Sequence, residues 1–343
     1  MLSSKREKER FVLRIQCAIR LTWPLLAIFA LAQFAVAQEE NIEVLQVRPN
    51  FYLIAGAGSN IGVQVGETGV VAVDTGVGEL SARILAEIKK FSDKPIRFII
   101  NTSADADHVG NNEAFAHAGQ SLIPAAPGAR AISDGRITID NEGAASILAQ
   151  ENVLVRMSAP TGQKSPYPTL AQPSSTFIED EHNVFLNGEA IQTIYMPAAH
   201  TDGDSIVFFR RSDVIMAGDI LDTTRFPVID IERGGGIQGE LDALNRILKM
   251  AIPETPIVWQ EGGTIVIPGH GRLCDQADVL EIRDMMTIVR DVVQSLMKKG
   301  LTLEQIKAAD PAREYRGRYG SDTGSWTTDK FIEAIYKSLQ NKK

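Results

Sequence analysis

The order of apolar segments in this 343-residue chain predicts a mixed α/β (α+β) fold, and three observations carry it. Short Val- and Ile-rich runs between Gly, Asn and Pro fill the chain from Ile42 to Thr102, with helical periodicity inserted once. A second block of strand-like runs follows between residues 190 and 270. From Ala277 onward the apolar spacing is helical throughout. The composition is 44% hydrophobic and only 6% aromatic, so aliphatic side chains must build most of the core.

The elements follow in order. VLQV, FYLIAG, IGVQVG and GVVAVDTG read as strands joined by tight turns. Ser81 is placed as a helix N-cap, with Ile84, Leu85 and Ile88 on one face before Phe91. Pro95 restarts the chain into IRFIINT, a buried strand. The stretch from Ser121 to Thr176 holds six prolines and reads largely as loop, long enough to wall a groove as a mobile flap. AIQTIYMP, DSIVFFRR, VIMAGDI and TIVIPGHG then supply strands. Ile282, Met285, Met286, Val289, Val293 and Leu296 stripe a helix that Gly300 ends, Thr302 and Gln305 form a capping box, and Phe331, Ile332, Ile335, Tyr336 and Leu339 stripe the last helix.

The first residues read as an export signal. Lys5, Arg6, Lys8, Arg10, Arg14 and Arg20 precede an apolar run from Leu21 to Ala37 that ends in Ala35-Val36-Ala37, a small-x-small cleavage signature. The expected organisation is a signal peptide over 1–37, a main domain over 38–276 and a helical extension over 277–343 packed on that domain. The location implied is periplasmic or secreted, with no stable membrane association after cleavage; the alternative is an N-terminal membrane anchor. The whole chain carries a net charge of −8, and loss of the basic leader makes it more acidic still, which disfavours nucleic acid as a partner. Cys274 is the one cysteine beyond the leader, so no internal disulfide is available, and it reads as a packed small residue.

Chemistry-bearing residues cluster at strand ends. Asp105, Asp107 and His108 crowd the loop NTSADADHVG after the IRFII strand. His200 lies in AAHTDGDS, Asp219 in MAGDI and His270 in IPGHG, each after an apolar strand and beside small residues that allow close backbone approach. Three of the five histidines occupy such positions; His117 and His182 read as ordinary surface or helix residues. Asp202 and Asp204, near His200, read as residues that set their own loop.

Taken together, NT-x-x-x-x-DH-x-G, AHTDGDS, GD and PGH, in that order between Ile42 and Gly271, resemble the metallo-β-lactamase superfamily. The resemblance implies an αββα four-layer sandwich with metals at one edge, and a hydrolytic centre. The family loop His-x-His-x-Asp-His has Ser103 at its first histidine position here and Asp105 at its second. Those positions, with the one matched by His200, hold the family's first metal, so that site is degraded. Asp107, His108 and His270 match the ligands of the other site, and Asp219 matches the bridging carboxylate.

The expected cofactor is therefore one zinc ion on Asp107, His108, Asp219 and His270, with iron or manganese as alternatives and His200 as a further metal ligand. Asp107 and Asp105 are the candidate catalytic residues, orienting a water for attack on an ester, thioester, lactone, amide or phosphoester of a small-molecule substrate. The competing expectations are a member that binds metal or ligand without turnover, and a dinuclear centre using Asp105 and His200.

Overall fold

The computed structural model describes residues 41–122, 131–133, 136–138, 143–254 and 262–340. The expected export signal lies outside the described residues, as does part of the Ser121–Thr176 stretch.

The first half runs β1 (Glu43–Arg48), β2 (Phe51–Ala57), β3 (Ser59–Val65), β4 (Val70–Val73), α1 (Ser81–Phe91), β5 (Ile96–Ile100), α2 (Ala106–Val109), α3 (Asn112–Ala118), β6 (Ala131–Ser133) and β7 (Arg136–Thr138). It continues through β8 (Ser146–Gln150), α4 (Glu151–Met157) and β9 (Ser175–Phe177). The second half runs β10 (Glu181–Leu186), β11 (Glu189–Met196), β12 (Asp204–Phe209), β13 (Val214–Asp222), α5 (Ile237–Met250) and β14 (Ile265–His270). Helices α6 (Gln276–Lys298), α7 (Leu303–Ala308), α8 (Arg313–Tyr319) and α9 (Thr328–Gln340) close the chain.

Two sheets form the centre. One has the order β1-β2-β3-β4-β5-β8-β9 and the other β10-β11-β12-β13-β14. Phe51, Val71, Val73 and Ile100 of the first pack between the sheets against Ile191, Val207, Phe209 and Met216 of the second. The alternate side chains of the first sheet, including Ile61, Val70 and Ile99, bury against Ile84 and Ile88 of α1 and Phe115 of α3. On the far face of the second sheet, Ile206, Ile215 and Ala217 pack with Leu241 and Leu244 of α5, Met286 and Val289 of α6, and Phe331 and Ile335 of α9. Helix, sheet, sheet, helix is therefore the layer order, as the resemblance implies, with the terminal helices part of the outer layer.

Two local readings are corrected. Ser81 is not a cap: a 3₁₀ turn over Gly78–Leu80 runs directly into α1, and Ser81 is its first residue. The Ser121–Thr176 stretch is less loop-like than its prolines suggest, because Ile147, Leu148 and Ala149 form a buried parallel strand, β8, beside β5. Its helix α4 is capped by Gln150, whose side chain accepts from Asn152 N–H. Helix α5 adds an element that has no counterpart among those predicted from the sequence, with Ile237, Leu241, Leu244 and Ile247 on one buried face.

Candidate metal centre

The strands deliver the candidate side chains to one edge of the sandwich. Asp105, Asp107 and His108 follow β5, His200 follows β11, Asp219 sits in β13, and His270 ends β14. Their donor atoms form two groups, Asp107–His108–His270 and Asp105–His200–Asp219, each with its ligand atoms within 4.8 Å of one another.

Amides hold the first loop in place. Asn101 and Asn112 exchange hydrogen bonds through their side chains at 3.1 and 2.8 Å, and Asn111 Nδ2 donates to the carbonyls of Thr75 and Val77. Ser103 is buried and its hydroxyl accepts from the backbone N–H of Asp105 at 3.2 Å, so it shapes the loop turn. The neighbouring segments need glycine. Gly218 has φ +54°, and a Cβ there would stand 2.6 Å from Thr102 Oγ1. At Gly239, a Cβ would stand 1.9 Å from the carbonyl oxygen of Ala198, so α5 packs directly under the turn that presents His200.

At the first group, His108 Nε2 and His270 Nε2 each lie 3.2 Å from Asp219 Oδ1, and His270 Nε2 lies 3.2 Å from Asp107 Oδ2. His108 is fully buried, and its Nε2 has no hydrogen-bond partner among the described residues. The opposite nitrogen is firmly held: His108 Nδ1 donates to Asp74 Oδ2 at 2.8 Å. Asp74 also accepts from Thr102 N–H at 2.8 Å and from its hydroxyl at 2.7 Å. An imidazole hydrogen-bonded to a carboxylate on one side, with its other nitrogen free of a hydrogen bond and turned toward further ligand-type side chains, is the arrangement that aims a nitrogen lone pair at a cation. Two imidazoles and two carboxylates also match the donor set of a zinc-type ion. The residues present therefore fit a metal.

At the second group the donors are already engaged. His200 Nε2 lies 2.7 Å from Asp105 Oδ2 and 3.7 Å from Asp219 Oδ2, and its Nδ1 donates to Val228 O at 2.8 Å. The other oxygen of Asp105 accepts from Arg233 Nη1. Arg233 in turn donates through Nε to Asp230 Oδ2 at 2.6 Å.

The charges answer to this packing. Burial works to raise the Asp105 carboxyl, but the hydrogen bonds from His200 and Arg233 bring it down to about 2. Burial likewise opposes charge on His270, yet Asp107 and Asp219 hold it up at about 9 in the metal-free protein. Asp219 stays well below the usual carboxylate range although burial works to raise it, chiefly because His108 stands beside it. Asp204, fully buried in the turn after His200, is pushed up to about 6 by burial and accepts from Thr201 N–H and its hydroxyl, both at 2.7 Å.

All five residues expected to ligate metal therefore meet at one edge, and Asp105 meets them. His117 lies on α3 and is exposed, and His182 stacks on Phe177 in β10; both are outside the centre. Asp74, Thr102, Arg233 and Asp230 went unread in the sequence. An acid directly after the VVAV strand was a usable signal for Asp74, whereas nothing local distinguishes Arg233 in the turn DIERGGG.

Residues 55–271 match the profile of the Metallo-beta-lactamase superfamily. The chain belongs to that superfamily. A curated relative, the linear primary-alkylsulfatase of Pseudomonas sp. (strain ATCC 19151), is 21% identical over 266 residues, 69% of this chain and 47% of the relative. Among solved structures, the stereoselective inverting sec-alkylsulfatase Pisa1 from Pseudomonas sp. is similar with a TM-score of 0.58 at 14% identity, covering 86% of this chain and 50% of that one. The metallo-beta-lactamase from Pontibacter korlensis is similar with a TM-score of 0.51 at 16% identity, covering 72% of this chain and 99% of its own. The chain thus spans about half the length of the alkylsulfatases and nearly all of the smaller lactamase. Superfamily membership gives a metallohydrolase fold with candidate metal-binding groups at its edge. Among the described residues no helix is long and apolar enough to cross a membrane.

Proposed function

We propose that this protein is an exported metal-dependent hydrolase with a single divalent ion, zinc in the first instance, held by Asp107, His108, Asp219 and His270. The observation that carries the reading is the buried, unpartnered Nε2 of His108, backed by Asp74 and facing Asp219 and His270. Such an ion supplies Lewis acidity and brings the pKa of water down to roughly 7.

The side chains divide the remaining work. Asp74 holds the proton of His108 on Nδ1 and so keeps Nε2 free for the ion. Asp107 is the only one of the two candidate bases with a carboxylate not already committed to a guanidinium, and it is half-buried at the mouth of the site. It is therefore the group that orients the attacking water and takes its proton. Asp105, paired with both His200 and Arg233, instead stabilises the loop and the charge balance of the centre.

The substrate is a small ester-type molecule. The alkylsulfatase relatives support sulfate esters as the first class to test, ahead of carboxylic esters, lactones and phosphoesters. The test is a panel of chromogenic 4-nitrophenyl sulfate, acetate and phosphate with zinc-loaded protein. Turnover that His270→Ala abolishes supports the reading; no turnover of any ester by protein holding one equivalent of metal would leave a metal-binding protein without hydrolytic activity.

A further inference from the structure

Arg233 stands beside the second ligand group, Asp105–His200–Asp219, in which two of the family's histidine positions are lost. It reaches Asp105, the residue standing at the second histidine position of the family loop and a member of the Asp105–His200–Asp219 group. Its placement is built by the fold. Arg156 Nη2 donates to the Arg233 carbonyl at 2.9 Å, Asp202 N–H donates to the same carbonyl at 3.0 Å, and Asp230 accepts from both its backbone N–H and its Nε. Asp230 is itself tied to the loop below, its N–H donating to His200 O at 2.9 Å. The guanidinium is thus locked to the same turn that presents His200.

We propose that the Arg233 guanidinium replaces the second metal ion of the centre and keeps it mononuclear. This inference rests on the one-metal reading given above. Charge and donor count both lead to it. Asp107 and Asp219 neutralise one divalent ion, and Asp105 is neutralised by a cation the chain carries permanently, because a guanidinium does not deprotonate in proteins. A second divalent ion would have to take Asp105 from Arg233 and then remain beside that fixed positive charge. Both ring nitrogens of His200 and both oxygens of Asp105 already face partners, so neither residue offers an idle donor. Ser103 cannot make up the deficit, since its hydroxyl accepts from the loop backbone. The substitution of histidine by Ser103 and Asp105 and the presence of Arg233 are then one arrangement: a carboxylate that pairs with arginine stands where an imidazole would have bound metal.

The test counts metal. Metal-depleted full-length protein is titrated with zinc by calorimetry, and bound zinc is then measured by mass spectrometry after desalting. Wild type and Arg233→Lys, which retains a cation, should each take up one equivalent. Arg233→Ala should bind a second equivalent at least tenfold more tightly than wild type, with the first equivalent unchanged, because Asp105, His200 and Asp219 are released as a three-donor group. Should Arg233→Ala fail to fold, Arg233→Gln is read in the same way. The inference is overturned if both neutral variants stop at one equivalent, or if wild type binds two with similar affinity. A wild type that binds no zinc would overturn the one-metal reading itself, so the two failures are distinguishable.

Discussion

Replacing Asp74 by Asn probes how the centre is aimed without touching a metal ligand. The backbone is not at issue, because Asp74 has φ 61° and asparagine tolerates that left-handed region well. The hydrogen bonds are at issue. Oδ1 accepts from Thr102 N–H at 2.8 Å, and an amide oxygen can keep that bond. Oδ2 accepts from Thr102 Oγ1 at 2.7 Å and from His108 Nδ1 at 2.8 Å, and an amide nitrogen can accept neither. The threonine hydroxyl can rotate and accept instead. With the amide oxygen kept on Thr102 N–H, the imidazole's remedy is to move its proton to Nε2 and so lose the lone pair that faces the metal position. The cost is one mismatched buried pair, about 1–3 kcal/mol. At about 1.4 kcal/mol per tenfold, that is a loss of roughly 10- to 100-fold in metal affinity, the range typical for partners behind a metal-binding imidazole. Zinc affinity measured against a chromogenic chelator should fall by that factor while the metal-free protein stays folded. Unchanged affinity in Asp74→Asn would refute the argument that Asp74 sets the His108 tautomer.

Two further outcomes are expected. In metal-free protein His270 has a folded pKa of about 9 against 6.5 for the free side chain, so its ion pairs contribute fully below about pH 6.5 and are lost as pH rises through about 9. The Tm of metal-free protein should therefore decline across that window, while zinc-loaded protein should resist the decline because the metal needs neutral imidazole; a flat metal-free Tm contradicts this. Truncation before Ala277 removes Val279, Ile282, Met285, Met286, Val289, Val293, Phe331, Ile332 and Ile335, all buried over the second sheet and α5, at about 1.5–3 kcal/mol each. The truncated chain should be insoluble or bind hydrophobic dyes, and a monodisperse, cooperatively melting core would count against it.

The parts of this molecule legible in the sequence are those where one chemical pattern has one structural meaning. Val70–Val73 is a continuous apolar run, and Ile96–Ile100 is one apart from Arg97, because both of their faces are covered, by the second sheet and by α1 and α3. The ligands were legible because a histidine or aspartate after such a strand, beside glycine, has few other uses. Proline density misleads in the Ser121–Thr176 stretch, since β8 and α4 are short elements between prolines that take their stability from packing, β8 on β5 and α4 through Val153 and Met157 on Ala149 and Val109. Asp74 and Arg233 were illegible for a different reason. Each acts across the fold, Asp74 on a residue 34 positions away and Arg233 on one 128 positions away, and no local pattern encodes such a pairing.

The central claim is a single metal ion on Asp107, His108, Asp219 and His270. It is tested most directly by counting zinc, iron and manganese per chain in protein purified without added metal or chelator. The account predicts one equivalent in wild type, and in His270→Ala a fall to a small fraction of that with a lower Tm, because the ion binds the folded state. Two equivalents of similar affinity in wild type, or a metal content unaffected by His270→Ala, would contradict it.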